Sequence, residues 1–252
     1  MSRLLANASG AIDVLARHGP LTVGQLASAL AIPRSSAYRL ADGLCADDLA
    51  ETGPDGRLTL TRRWLHLSDA ARNGMSEWAR ARPILEWLAA ETEETAFLTV
   101  PGAAEAVCID WAPGRGVTIL ALKPGRSLPL HAGAAGRVVL AHSPERDVEA
   151  YLARCPLPAF TGTTLTTAAE LRADIALTRG RGFAVSDEDV TVGIRSIGAP
   201  ILSADGSLAG AVSIGGLAGE SRESHARLVD AVLAAARRLE GRNGISSRPT
   251  KG

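Results

Sequence analysis

The sequence holds only three cysteines, Cys45, Cys108 and Cys155, in 252 residues. They are odd in number, far apart and without a C-x-x-C, so neither a disulfide framework nor a zinc site is expected; they read as reduced, buried small hydrophobes. No stretch approaches the roughly 18 consecutive apolar residues that a membrane-spanning helix needs, which excludes that class. Net charge is missing as well, because 27 basic and 27 acidic residues cancel. A disordered chain would pair low hydrophobicity with high net charge, whereas this one is neutral and 46% apolar. Neutrality also argues against a protein that coats nucleic acid, while leaving room for a basic face on a small domain. Lysine is nearly absent: Lys123 and Lys251 leave 27 − 2 = 25 arginines, a skew read as genome composition rather than function. Residues Met1 to Gly10 carry Arg3 and only Leu4-Leu5-Ala6 before polar Asn7. That is too little for the apolar core of a signal peptide, so the expected location is cytoplasmic.

What is present begins with helical periodicity. Ile12, Leu15 and Ala16 make a short apolar face that His18-Gly19-Pro20 ends. Thr22-Val23-Gly24-Gln25 is a capping box for a second helix with Val23, Leu26, Ala27 and Leu30 inward. Pro33 suits the first position of a third helix, since its missing N–H has no intrahelical partner there. In that helix Ala37, Leu40, Ala41 and Leu44 repeat at i, i+3, i+4 and i+7, leaving Arg34, Ser35, Ser36, Tyr38, Arg39 and Asp42 outside. Leu49 to Thr52 and Arg57 to Thr61 then flank Gly53-Pro54-Asp55-Gly56, whose Asp-Gly step supplies positive φ for a hairpin. Three short helices and a hairpin outline a winged helix-turn-helix.

A helix from Arg62 to Ala71, with Trp64, Leu65, Leu67 and Ala71 available for packing, reads as a connector closed by Asn73-Gly74. Another helix is expected at Glu77 to Thr92. Strands follow at Ala96 to Val100, Glu105 to Trp111 and Val117 to Leu122, with Pro-Gly steps between them. Helices return at Ala134 to Ala141, Pro144 to Arg154 and Ala168 to Arg179; Phe183 to Val185 is too short to assign. Ser196 to Ser203 and Ser207 to Ile214 flank Asp205-Gly206, a second hairpin signal, and Arg222 to Gly241 closes the fold as an amphipathic helix. This order implies an α+β fold: a winged helix-turn-helix in residues 1–61, a linker helix in 62–75, a domain with a mainly antiparallel sheet in 76–241, and a disordered tail in 242–252.

The third helix carries the chemistry for DNA. A recognition helix presents polar or basic side chains from its first turns to the major groove. Arg34 and Arg39 can pair with guanine or phosphate, Ser35 and Ser36 with either, and Tyr38 with a phosphate oxygen. Arg57, after the wing turn, can approach the adjacent minor groove. The bland alternative is a solvated helix face; the whole arrangement of capping box, Pro-started helix, basic exterior and hairpin favours DNA. From Met1 to Met75 eight arginines stand against seven acids, 8 − 7 = +1, so the positive charge must be concentrated on one face or the phosphate contacts doubled in a symmetric dimer.

At these residues the sequence resembles the IclR family of bacterial transcription regulators, from about Ala6 to Leu239. Leu21 through Leu60 resembles the family's winged helix-turn-helix. More specific are Ala81-Arg82-Pro83-Ile84-Leu85, Leu130-His131-Ala132-Gly133-Ala134-Ala135-Gly136-Arg137, Gly180-Arg181-Gly182-Phe183-Ala184, and Asp187-Glu188-Asp189 leading to Gly193-Ile194-Arg195-Ser196. The resemblance implies a GAF-like C-terminal domain that binds a small, usually carboxylate-bearing metabolite. Its pocket would be lined by Ala134, Ala135, Ser186, Ile194, Ser196, Ser213 and Gly215. A Gly/Ala-rich helix entry lets a ligand carboxylate approach backbone N–H groups; tight packing of the helix on the sheet explains Gly133 and Gly136 equally well. Where members often carry an acid, a Cys and a second Ser, this chain has Ser186, Ser196 and Gly215, which leaves room for a bulkier or more apolar carboxylate. The resemblance further implies homodimers, or dimers of dimers, on double-stranded operator DNA.

Two readings of other classes stand beside it. One is a metabolite sensor that acts through protein partners without DNA. The other is a hydrolase, prompted by His142-Ser143 and nearby His131. No G-x-S-x-G elbow, H-E-x-x-H or P-loop motif accompanies them, so no enzyme, metal or cofactor is expected, and His131 reads as structural with its ring nitrogens bonded to backbone.

Overall fold

The computed structural model describes residues 3–116, 121–219 and 222–242. The chain forms two compact units, Met1–Met75 and Ser76–Gly252.

In the first unit, α1 (Arg3–His18), α2 (Val23–Ala29) and α3 (Arg34–Ala46) precede the hairpin of β1 (Ala50–Thr52) and β2 (Leu58–Leu60) and then α4 (Arg63–Asn73). The capping box forms: Gln25 N–H donates to Thr22 Oγ1 at 3.3 Å, and Thr22 N–H to Gln25 Oε1 at 2.9 Å. Helix α1 is longer than its apolar face implied. It buries Ala11 and Leu15, leaves Ile12 half-buried and exposes Ala16, so the inward face is rotated by one residue. Pro33 is the residue just before α3 rather than its first, with extended ψ of 143°. All four inward positions of α3 are buried, and Leu40, Ala41 and Leu44 form one core with Leu15, Leu26 and Leu58. In the wing only Gly56 takes positive φ, 73°; Gly56 N–H donates to Gly53 O and Gly53 N–H to Arg57 O, a turn followed by a bulge rather than a two-residue loop. Leu21 bridges Leu58 and ties the α1–α2 turn to the wing.

Helix α4 is anchored to this unit at its start: Trp64 Nε1 donates to Leu49 O at 2.7 Å and Arg63 Nη1 to Asp47 O at 2.5 Å. Of the four residues expected to pack, Trp64 is half-buried, whereas Leu65, Leu67 and Ala71 are exposed, Leu65 by 67%.

In the second unit a 3₁₀ turn (Ser76–Trp78) precedes α5 (Arg82–Thr92), so the single helix expected from Glu77 is broken. Pro83 supplies no N–H and is tolerated only in a first helical turn, which forces the restart beside it. Then come β3 (Thr95–Pro101), β4 (Glu105–Ala112), β5 (Ser127–Pro129), α6 (Gly133–His142), α7 (Glu145–Leu152), α8 (Ala168–Arg181), β6 (Ala184–Asp187), β7 (Ile194–Leu202), β8 (Leu208–Leu217) and α9 (Arg222–Arg242). The strand expected at Val117 to Leu122 falls mostly on residues 117–120, outside the described ones; Ala121 and Leu122 are not strand, and the neighbour of β4 is β5 instead. Of the segment too short to assign, Ala184 and Val185 belong to the edge strand β6, while Phe183 precedes it. The tail beyond 242 also lies outside the described residues.

The sheet runs β5-β4-β3-β8-β7-β6, with every described pairing antiparallel. Strand alternation puts Ile197, Ala199 and Ile201 of β7 on one face and Ile194, Ser196 and Gly198 on the other. Helix α6 lies on the second face, where a Cβ at Gly198 would come within 3.2 Å of the Ala134 backbone. Helices α5 and α9 cover the first face, and α8 packs on α6.

Candidate functional site

The outer face of α3 is set by the burial of its inner one. With Ala37, Leu40, Ala41 and Leu44 in the core, a 3.6-residue period leaves Arg34, Ser35, Tyr38 and Arg39 exposed, Tyr38 by 58%. Ser36 is half-buried, nearer the core than the sequence implied. Among the described residues neither Arg34 nor Arg39 forms an ion pair, so two guanidinium groups stand free on one helical surface. Arg57 differs: its Nη1 donates to Pro20 O at 3.3 Å and its Nε lies 3.5 Å from Asp55. It braces the wing as well as facing outward.

In the second unit the sheet, α6 and the 187–193 segment border a cleft with an internal volume of about 60 Å³ that opens to solvent. The structure brings Ala134, Ala135, Ser186, Ile194, Ser196, Ser213 and Gly215 together on its wall, joined by Phe97, Leu122, Leu128, Val190 and Thr191. No arginine, lysine or histidine lines it among the described residues. The body of the cleft is apolar, with Ser186, Ser196 and Ser213 among the residues that line it.

The first N–H groups of α6 are partly taken. Gly133 N–H donates to Asp189 Oδ1 at 3.2 Å, and Ala134 N–H to Ser196 Oγ at 3.2 Å. Among the described residues no side chain caps Ala135 N–H, which stays available to a ligand. The glycines have separate reasons: Gly133 has φ of 74°, which favours glycine, and a Cβ on Gly136 would sit 2.6 Å from Pro129 O. Close packing, the bland alternative, therefore accounts for Gly136.

Sequence reasoning missed what holds this arrangement. Asp189, 1% exposed, accepts from Gly133 N–H and Ser186 Oγ on one oxygen and from Arg137 Nη1 at 3.1 Å on the other. Arg137 also grips Asp174 of α8 with two donors, Nε at 2.7 Å and Nη2. Burial strips water from the Arg137 guanidinium and opposes its charge, but hydrogen bonds and attraction to Asp174 and Asp189 outweigh this and raise its pKa above the ordinary value. The 187–193 segment is pinned from behind: Thr161 Oγ1 donates to Glu188 O and Thr164 Oγ1 to Asp189 O, both at 2.7 Å. It is a braced wall rather than a free loop.

The residues that prompted a hydrolase are committed elsewhere. Pro158 O can only accept, so His131 Nε2, 2.9 Å away, carries the proton, and Nδ1 accepts from the Tyr151 hydroxyl at 2.8 Å. One ring nitrogen thus meets backbone and the other a side chain, which corrects the expectation of two backbone partners. His142 Nδ1 donates to Val138 O at 3.0 Å and Ser143 Oγ to Val139 O at 2.7 Å, so the two side chains do not face each other chemically. All three cysteines are free; Cys108 is buried, but Cys45 and Cys155 are only half-buried.

A winged helix-turn-helix followed in the same chain by a sheet domain with a serine-bearing apolar cleft defines a ligand-responsive transcriptional regulator, with a DNA-binding and an effector-binding domain. Residues 74–240 match the family Bacterial transcriptional regulator IclR C-terminal, and residues 4–58 match the MarR family. The HTH-type transcriptional regulator BhcR of Paracoccus denitrificans is 33% identical over 249 residues, covering 94% of this chain and 86% of its own. The transcriptional repressor IclR of Escherichia coli is 28% identical over 202 residues, 79% of this chain and 74% of its own. Among solved structures, an IclR-type regulator from Alicyclobacillus acidocaldarius superposes with a TM-score of 0.81 at 23% identity over 96% of this chain and 98% of its own. An IclR homolog from Microbacterium hydrocarbonoxydans, complexed with 4-hydroxybenzoate, gives 0.77 at 22% identity over 94% and 98%. The chain belongs to the IclR family of bacterial transcriptional regulators.

Proposed function

We propose that the exterior of α3 enters the major groove of an operator, with Arg34, Ser35, Ser36, Tyr38 and Arg39 meeting bases and phosphates and Arg57 reaching backbone beside the wing. The observation that carries this reading is the pair of exposed guanidinium groups, without ion-pair partners among the described residues, on a helix whose opposite face is buried in the core. In this reading two copies bind together, because a domain of net charge +1 makes too few phosphate contacts alone. The large apolar side chains Leu65 and Leu67, 67% and 43% exposed on α4, support association through that helix. The chain acts as a dimer or a dimer of dimers, in the cytoplasm, and performs no catalysis: His131, His142 and Ser143 are all spent on structural hydrogen bonds.

The cleft holds the effector, a small carboxylate with an apolar body. Ala135 N–H and the hydroxyls of Ser196 and Ser213 meet its carboxylate, Ser186 lies beside them, and Ala134, Ile194 and Gly215 shape the wall. The 4-hydroxybenzoate held by the Microbacterium relative is a compound of this kind. Binding shifts DNA affinity by the ratio of effector affinities for the two states, typically about 1–3 kcal/mol. The test is a footprint on a duplex that the protein itself selects from random sequence, with and without carboxylates that raise its thermal stability. Two protected half-sites whose occupancy changes with such a ligand support the reading; a single isolated half-site, or occupancy indifferent to every stabilising ligand, contradicts it.

A further inference from the structure

The floor of the cleft is a row of residues placed side by side by sheet register: Ser186 on β6 opposes Ser196 on β7, which opposes Gly215 on β8. Directly opposed Cβ atoms lie about 5 Å apart, so the two hydroxyls stand one strand apart, and Gly215 leaves the next place in the row without a side chain.

These hydroxyls are not equivalent. Ser186 Oγ gives its single proton to Asp189 Oδ1, within a residue that is itself paired with Arg137. Its remaining capacity toward the cleft is therefore to accept. Ser196 Oγ already accepts from Ala134 N–H at 3.2 Å, and among the described residues its own proton has no protein acceptor, so it is left to donate. Ser213, 3% exposed, has no hydrogen-bond partner among the described residues although it lies on the cleft wall. A cleft-wall hydroxyl without a protein partner is a place for a ligand atom.

We propose that Asp189 is a positioning residue that fixes Ser186 as an acceptor, and that the cleft thereby selects an apolar carboxylic acid bearing a hydroxyl or N–H donor close to its carboxylate. The carboxylate meets Ser196 O–H and Ala135 N–H; the donor meets Ser186. A ligand lacking that donor strands the Ser186 oxygen in a site from which it has expelled water, and such a loss discriminates more strongly than a missing methylene would. The roughly 5 Å between the two serines favours a donor on the carbon that bears the carboxyl group, or on the carbon beside it, over one at the far end of the molecule. This inference rests on the cleft being the effector site.

The experiment is calorimetric titration of the full chain with two matched pairs of probes, mandelate against phenylacetate and 2-hydroxybenzoate against benzoate. In the unaltered protein the hydroxylated member of at least one pair binds about tenfold more tightly than its partner. In Ser186→Ala that ratio falls toward one, the loss falling on the hydroxylated member. In Asp189→Asn, where an amide can donate to Ser186 and release its proton, the ratio also falls; a merely structural Asp189 would weaken both members alike and leave the ratio standing. Equal binding of both members by the unaltered protein, or a ratio that survives Ser186→Ala, overturns the proposal while leaving the cleft as a carboxylate site. If no member of either pair binds, the proposal and the carboxylate reading fall together.

Discussion

Arg137 and Asp189 are 52 residues apart in the chain and joined as an ion pair beneath the cleft, Nη1 to Oδ2 at 3.1 Å. The other oxygen of Asp189 holds the first N–H of α6 and the Ser186 hydroxyl, and the other edge of Arg137 holds Asp174 of α8. One guanidinium therefore connects the cleft helix, the helix behind it and the segment that walls the cleft.

Removing that guanidinium strands two carboxylates whose side chains are 9% and 2% exposed. Breaking a buried pair by deleting one partner costs about 3–5 kcal/mol. Arg137→Met is expected to lose stability on that scale in urea unfolding. Arg137→Lys should fall between it and the unaltered protein, since an ammonium restores charge but not the two-pronged grip on Asp174. A loss below about 1 kcal/mol in Arg137→Met, the scale of an exposed pair, would show that the network is not what holds this region.

At Gly136 two effects compete. Alanine is favoured over glycine in a helix interior by about 1 kcal/mol. Against it, the new Cβ would sit 2.6 Å from the Pro129 carbonyl, a backbone atom that cannot swing aside. Overpacking of this sort costs about 1–3 kcal/mol, so Gly136→Ala should lower the melting temperature. A rise would mean that α6 can shift off the β5 end freely.

His142 gives the protein a pH dependence of known sign. Burial disfavours its charged form and lowers its pKa below the ordinary 6.5, more than the hydrogen bond to Val138 O raises it; nearby Arg179 lowers it further. The unfolded chain keeps the ordinary value and takes up the proton first as pH drops. The contribution of His142 is thus fully present above about pH 6.5 and declines below it, by at most about 1.4 kcal/mol per pH unit, until the folded form also titrates. Unfolding free energies measured from about pH 8 down to pH 5.5 should show a shallower decline in His142→Gln than in the unaltered protein. Parallel curves would contradict this.

The regulator's helices were legible where one face alone meets a core. In α3 the spacing of Ala37, Leu40, Ala41 and Leu44 named both the buried side and, by subtraction, the side left for DNA. The capping box at Thr22 was legible because its partners are three residues apart. What failed depends on distant partners or on a single backbone constraint. Nothing local announces that Leu65 and Leu67 stay exposed, since their spacing is that of any packed helix. Pro83 broke the helix expected from Glu77, although the proline itself was visible. The cleft residues came from resemblance to a family rather than from spacing. The Asp174–Arg137–Asp189 network joins residues 37 and 52 positions apart, and only the folded chain brings them together.

The central claim, that the free face of α3 reads DNA, is most directly tested by fluorescence anisotropy of a self-selected duplex, titrated at several salt concentrations with the unaltered protein and with Arg34→Ala/Arg39→Ala. Deleting a guanidinium that neutralises one phosphate should flatten the plot of log affinity against log salt by about one. The account predicts at least about a tenfold loss of affinity together with a shallower slope, in a variant whose thermal unfolding is unchanged. Affinity and slope equal to those of the unaltered protein would contradict it.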